Sequence, residues 1–250
     1  MPRSRPLVLV VACALPALTG ACGGGEAGDA DELVVLAAAS LTDAFGELGE
    51  VFEDQRGVAV TFSFGGSSSL REQILEGSPA DVFASASPGP MADLVEAGAV
   101  GDPVTFATNR LQIVVPAGNP GGVRDLGDLA RDELLVGRCA PEVPCGEVAR
   151  RVLEEAGVDA APDTEEPDVR ALLVKVAEGE LDAGLVYVTD VRSAGDRVEG
   201  IDLDEAGATT DYQMAVVAGS ARSGLASEFV SLVRSRRGQQ VLQSYGFSEP

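Results

Sequence analysis

Residues Leu33 to Ala38 form an unbroken apolar run, the pattern of a strand covered on both faces. Ser40 follows with Asp43 three positions on, a start resembling a capping box. It predicts a helix from Leu41 to about Gln55, with Ala44, Leu48, Val51 and Phe52 on its apolar face. Val58 to Phe64 alternates as a second strand, and Gly65-Gly66-Ser67-Ser68-Ser69 leads into a second helix, Leu70 to Glu76. A third strand, Asp81 to Ser85, and a third helix, Pro88 to Ala97, repeat the unit. Further on, strands are predicted over Leu111–Pro116, Leu134–Gly137, Leu181–Val188 and Tyr212–Ala218. Helices are predicted over about Gly146–Ala156 and Asp168–Glu178, and helical periodicity returns through Phe229, Val230, Leu232 and Val233. This alternation argues for an α/β fold with a mainly parallel sheet. With 250 residues, no internal repeat and no low-complexity linker, two lobes joined by crossing strands fit better than separate beads.

Composition narrows the chemistry. Hydrophobic residues are 45% of the chain but aromatics only 4%, and Trp and His are absent. The core must therefore be Val, Leu, Ile and Ala. Without His, the usual neutral-pH general base and the commonest transition-metal ligand are both missing. No G-x-S-x-G, P-loop or H-E-x-x-H pattern occurs, and Ser40 and Ser67 have no His to activate them. A Ser-Lys mechanism would need Lys175, the sole lysine, which sits in an amphipathic helix pattern. The chain reads as a non-enzyme with no cofactor and no direct metal ligands. Its net charge of −22 argues against nucleic acid as a partner. The same charge repels anions at long range. An anion site here must use local, uncharged donors, and salt screens distant carboxylates beyond about 8 Å.

Residues 1–21 read as an export signal: Arg3 and Arg5, an apolar stretch from Pro6 to Leu18, then Thr19-Gly20-Ala21 before Cys22. Small residues before a cysteine resemble a lipobox, in which Cys22 is lipidated. Thr19 stands where the pattern usually has Leu, and plain cleavage after Ala21 or a retained anchor are the alternatives. Residues 22–31 form a small polar tether. Removal of residues 1–21 takes away Arg3 and Arg5 and no acid, carrying the charge from −22 to −24. An exported, lipid-anchored protein at the outer face of the membrane is the expectation, and no basic helix-turn-helix segment suggests a transcription regulator. Cys139 and Cys145 remain, close together in Gly137-Arg-Cys-Ala-Pro-Glu-Val-Pro-Cys-Gly146. In an oxidising compartment such a pair favours a disulfide over two free thiols.

Twice a predicted strand ends in Ser residues at a helix start: Ala37-Ala38-Ala39-Ser40 and Phe64-Gly65-Gly66-Ser67. A helix N-terminus offers unpaired N–H groups and the positive end of the dipole, glycines allow close approach, and a hydroxyl adds a donor. Such sites lie beyond the C-terminal ends of strands in open α/β sheets. Ser is also a common helix cap, so these two segments alone leave an anion site and plain capping both open.

The ordered set Ala37-Ala-Ala-Ser-Leu-Thr-Asp-Ala-Phe45, Phe64-Gly-Gly-Ser-Ser-Ser-Leu70 and Gly77-Ser-Pro-Ala-Asp-Val-Phe83 resembles the periplasmic molybdate-binding protein family. Val143-Pro-Cys-Gly146, Asp168-Val-Arg170, Gly184-Leu-Val-Tyr187 and Tyr245-Gly-Phe247 continue the resemblance in family order over about Leu33 to Phe247. The resemblance implies a type II periplasmic-binding-protein fold, two α/β lobes with molybdate or tungstate held in the cleft by neutral donors. It assigns residues 32–108 and 215–250 to lobe I and 109–214 to lobe II. Ser40 and Ser67 would donate hydroxyls, Cys145 and Val169 backbone N–H groups, and Tyr187 its phenol. A monomer delivering its ligand to an ABC permease and its cytoplasmic ATPase is implied as well. Two departures stand out: the family usually has Ala at the Cys145 position, and small Ala or Ser residues where Gly65 and Gly66 follow Phe64. The alternative is a same-fold receptor for sulfate, phosphate or an organic acid, the last calling for an Arg such as Arg138 or Arg170 in the cleft.

Overall fold

The structure, a computed structural model, describes residues 32–250. The expected export signal, the lipidated Cys22 and the tether lie outside the described residues. Strand β1 (Glu32–Ala38) is buried from Leu33 to Ala38 except for the half-buried Val34, as its unbroken apolar run demands. A 3₁₀ turn, Ala39–Leu41, then enters helix α1 (Thr42–Arg56), which ends at Gly57 in the left-handed conformation. Strand β2 (Ala59–Gly65), helix α2 (Ser67–Leu75), strand β3 (Val82–Ser85) and helix α3 (Pro88–Glu96) complete two further strand–helix units. Long strand β4 (Val104–Pro116) leads to β5 (Val136–Cys139), α4 (Pro144–Ala156), β6 (Thr164–Glu166) and α5 (Val169–Ala177). Then come β7 (Ala183–Tyr187), α6 (Val188–Ala194), β8 (Val198–Asp202) and β9 (Thr209–Val216). Helices α7 (Ser223–Arg234) and α8 (Arg236–Ser244) close the chain.

The strands hydrogen-bond in the order β2-β1-β3-β9-β4-β7-β5-β6, with β8 pairing β4. The sheet is mixed, which corrects the expectation of a mainly parallel one. β1 is parallel to β2 and β3, and β5 to β6 and β7. β4 and β9 run antiparallel to each other and to the neighbours they join. The physical reason is that β4 and β9 are the crossing strands. Val104 to Arg110 of β4 pairs with β9, and Leu111 to Val114 pairs with β7, so one strand serves both halves.

Two main cores follow from this division, beside a smaller cluster of Leu36, Leu70, Phe83 and Met91. One packs Leu33, Phe45, Phe106, Tyr212 and Phe229 among its members, and the other packs Ile113, Val148, Leu172 and Val186. All eight phenylalanines lie in residues 45–106 or 229–247, and the first core contains edge-on pairs such as Phe45–Phe229 at 5.8 Å and Phe52–Phe229 at 5.5 Å. The second core is aliphatic, with Tyr187 as its one ring.

Several elements differ from expectation. Helix α2 begins at Ser67, so the serines form its first turn rather than leading into it. β4 starts seven residues earlier than predicted because Thr105, Thr108, Asn109 and Arg110 interrupt its apolar pattern. β5 lies two residues later than predicted, and the polar β6 and the largely exposed β8 gave no hydrophobic signal. The C-terminal periodicity is two helices, broken at Ser235, whose hydroxyl accepts from Gly238 N and caps α8. Cys139 at the end of β5 and Cys145 in the first turn of α4 form a disulfide with Cα atoms 5.7 Å apart. Closing so short a loop restrains the unfolded chain by only about 2 kcal/mol. Its stronger consequence is local, because it ties the start of α4 to the end of a core strand.

Candidate functional site

Five strand ends converge. Ser40 lies in the 3₁₀ turn after β1, and Ser67 is the first residue of α2 after β2. Cys145 is in the first turn of α4 after β5, Val169 opens α5 after β6, and Tyr187 ends β7. All five line a single narrow cavity, and none is more than 4% exposed. Wider grooves, such as that between α1, α6 and α8, are rimmed by exposed charged residues instead.

The donors are free for a reason in each case. Neither serine caps a helix, contrary to the capping-box reading of Ser40. Leu41 takes the N-cap position of α1 and Gly66 that of α2, and neither helix start has a side-chain cap bond. Ser40 Oγ instead lies 2.7 Å from the Tyr212 hydroxyl. The direction of that bond can be deduced. Asn109 Oδ1 accepts from Arg110 N at 2.9 Å, which orients the amide, so its Nδ2 donates to Thr189 Oγ1 at 2.9 Å and to Tyr212 Oη at 3.3 Å. Tyr212 therefore spends its one proton on Ser40, and the Ser40 proton is left for the cavity. Ser67 Oγ accepts from Ala86 N at 3.1 Å, which frees its proton likewise.

On the opposite wall, Asp168 caps α5, its Oδ1 accepting from Arg170 N at 2.8 Å and Ala171 N at 3.0 Å. The Val169 and Cys145 N–H groups have no acceptor among the described residues. Each stands at the positive end of a helix. Tyr187 is the most telling. Its hydroxyl is buried with no hydrogen-bond partner, and burial pushes its ionisation well above the ordinary phenol range, so it stays a neutral donor.

No Lys or Arg lines the cavity. Arg170 is engaged elsewhere: Nη2 donates to Asp43 at 2.5 Å, Nη1 to Ser193 at 2.7 Å, and Nε lies 2.9 Å from Asp190 Oδ1. The last contact is an ion pair whose angle falls outside hydrogen-bond range. Arg138 faces Glu165 at 3.4 Å. Neither arginine can clasp a carboxylate in the cavity. The Arg170–Asp43 pair, with Ser68 Oγ donating to Glu142 O at 2.5 Å, clasps the two halves around it. Among the described residues no group of three or more His, Cys, Asp or Glu could hold a metal ion. The sequence reading missed Tyr212 and Asn109 as supports. The available signal was a polar Asn inside a strand, a place where that residue is depleted.

Residues 33–248 match the family described as bacterial extracellular solute-binding protein. A molybdate-binding protein of Mycobacterium tuberculosis is 41% identical over 96% of this chain and 93% of its own length. The molybdate-binding protein of Escherichia coli is 32% identical over 93% of this chain and 95% of its own. Among solved structures, the periplasmic molybdate-binding protein of Azotobacter vinelandii superposes with a TM-score of 0.77 at 23% identity, covering 87% of this chain and 99% of that one. The sulfate-binding protein of Mycobacterium tuberculosis reaches the same TM-score at 21% identity, covering 87% and 86%. These superpositions show the type II periplasmic-binding-protein fold, two α/β lobes with the cleft between them. From its matched length, its fold and its relatives, the chain belongs to the bacterial extracellular solute-binding protein family, a family of receptors rather than enzymes.

Proposed function

We propose that this protein is an extracytoplasmic receptor that holds molybdate or tungstate and hands it to an ABC importer. The observation that carries the reading is the narrow cavity, lined by buried residues, whose walls present neutral donors only: the Ser40, Ser67 and Tyr187 hydroxyls and the Cys145 and Val169 N–H groups. Such donors stabilise a dianion by local dipoles, which reconciles an anion ligand with a net charge of −22. Lobe I comprises residues 32–108 and 215–250, and lobe II residues 109–214, with β4 and β9 crossing between them. A hydrogen phosphate would need an acceptor for its proton, and Asp168, the one carboxylate at the wall, is occupied as a helix cap. Sulfate is smaller and would leave longer contacts. An organic acid would find no guanidinium. The ligand is a transported solute and not a cofactor. A permease with its cytoplasmic ATPase is the partner, the protein works as a monomer, and a lipid on Cys22 would hold it to the membrane.

Calorimetric titration of the purified protein with molybdate, tungstate, sulfate and phosphate tests this. One-to-one binding of the first two alone is expected. Heat from sulfate or phosphate, with none from molybdate, would keep the fold and overturn the ligand. The hydroxyl relay adds a finer test. Tyr212→Phe is expected to weaken molybdate binding about tenfold, because Ser40 loses the donor that orients it. In a Ser40→Ala background the same substitution should do almost nothing, and a full additional loss there would show that Tyr212 acts by another route.

A further inference from the structure

Gly66 stands at the N-cap of α2, where a side-chain oxygen is ordinarily favoured. Its φ of −62° and ψ of 130° are extended values open to any residue. Nothing in its own segment calls for glycine. The reason lies across the cleft. A Cβ at Gly66 would sit 2.5 Å from Pro167 O and 3.4 Å from Val143 Cγ1, both in lobe II. Neighbouring Gly65 is the contrast, since a Cβ there would meet only Leu70, in its own lobe, at 3.7 Å. Pro167 O cannot turn aside as a flexible side chain would. It is a backbone atom of the residue before Asp168, the cap of α5, and two before the Val169 donor.

We propose that Gly66 sets how far the lobes close, and thereby fixes the distance between the Ser67 donor of lobe I and the Cys145 and Val169 donors of lobe II. The inference rests on the oxyanion-receptor reading above. Gly66 is a positioning residue whose missing side chain lets two walls of donors reach one ion. Restoring an ordinary van der Waals separation at an added Cβ requires the lobes to part by about 1 Å. That is enough to take hydrogen bonds that span the ligand out of range.

The test compares the unsubstituted protein with Gly224→Ala and Gly66→Ala by calorimetry, by melting with and without ligand, and by crystallography. Gly66→Ala should bind molybdate about tenfold to a hundredfold more weakly. Gly224→Ala, at an exposed position of α7 where an added Cβ meets nothing within 4 Å, should match the parent. The unliganded melting temperature of Gly66→Ala should be unchanged, because open lobes do not meet there, and its liganded crystal structure should show the lobes further apart at Pro167. Equal affinity for the two alanine variants would overturn the proposal. So would an unliganded melting temperature lowered as far as the liganded one, since the clash would then act on the fold. If sulfate gives heat and molybdate does not, the molybdate reading fails separately and the sulfate-bound crystal structures decide instead: lobes parted by Gly66→Ala alone uphold the proposal, and superimposable lobes refute it.

Discussion

Tyr187→Phe is expected to weaken molybdate binding by up to about a hundredfold without loss of stability in the empty protein. The phenol is buried, kept protonated by its surroundings, and lines the cavity, with the Tyr212 hydroxyl nearby but no well-formed hydrogen bond to any protein group. A hydrogen bond from such a group to a charged oxygen contributes about 1.5–3 kcal/mol. Phenylalanine keeps the ring, and with it the edge-on contact to Tyr212 at a centroid separation of 6.0 Å. It removes only a hydroxyl that makes no well-formed hydrogen bond to the protein, so the empty fold loses little. Titration of the variant beside the parent, with denaturant melts of both, reads the two halves of the prediction. Undiminished affinity would place the ligand away from this cavity. Lowered stability would mean that the hydroxyl serves the fold.

The second large effect is on stability and its dependence on pH. Asp190 is fully buried behind the site, its Oδ2 accepting from Tyr187 N at 3.1 Å and its Oδ1 2.9 Å from Arg170 Nε. Burial pushes its carboxyl up to about 7, more than the opposing pull of Arg170 lowers it, with Asp43 and Asp168 adding to the rise. The folded protein therefore holds this proton more tightly than the unfolded chain. The resulting stabilisation is fully present below about pH 4 and is lost as the pH rises to about 7. A rise of about three units corresponds to roughly 4 kcal/mol over that window. Asp190→Asn has the same shape and no proton to lose. The stability of the parent relative to this variant should fall steadily between pH 4 and 7 in matched denaturant melts and level off above. A difference that stays flat would show that Asp190 is ionised throughout and held by Arg170.

Much of the architecture was legible because the first three strand–helix units repeat a simple burial logic. Leu33 to Ala38 had to be covered on both faces, and the helix after it had to lay Ala44, Leu48 and Phe52 against the sheet. Both readings match the structure to within a residue or two. The candidate site was legible for a different reason. The strand-end and helix-start pattern pointed to Ser40 and Ser67 alone, while Cys145, Val169 and Tyr187 entered through the resemblance of their short motifs to the molybdate-binding family. That these five line one cavity is a matter of topology, set by the β2-β1-β3 and β7-β5-β6 orders on either side of the crossing strands.

Short polar strands such as β6 and β8 carry no periodic signal, because their stability comes from a neighbour's backbone and not from their own side chains. The mixed sheet was illegible likewise, since strand direction depends on which strands pair. The chain's composition and local patterns thus settled its class and the absence of histidine chemistry, and they marked Ser40 and Ser67 as candidate donors, but they did not foresee that the phenylalanines gather in the first core. Contacts between residues far apart in the chain decided the rest: the Asn109–Tyr212–Ser40 relay, the Arg170 clasp on Asp43 and the approach of Pro167 to Gly66. Short-range patterning encodes burial and turn chemistry, while a contact between lobes exists only once both have folded and closed.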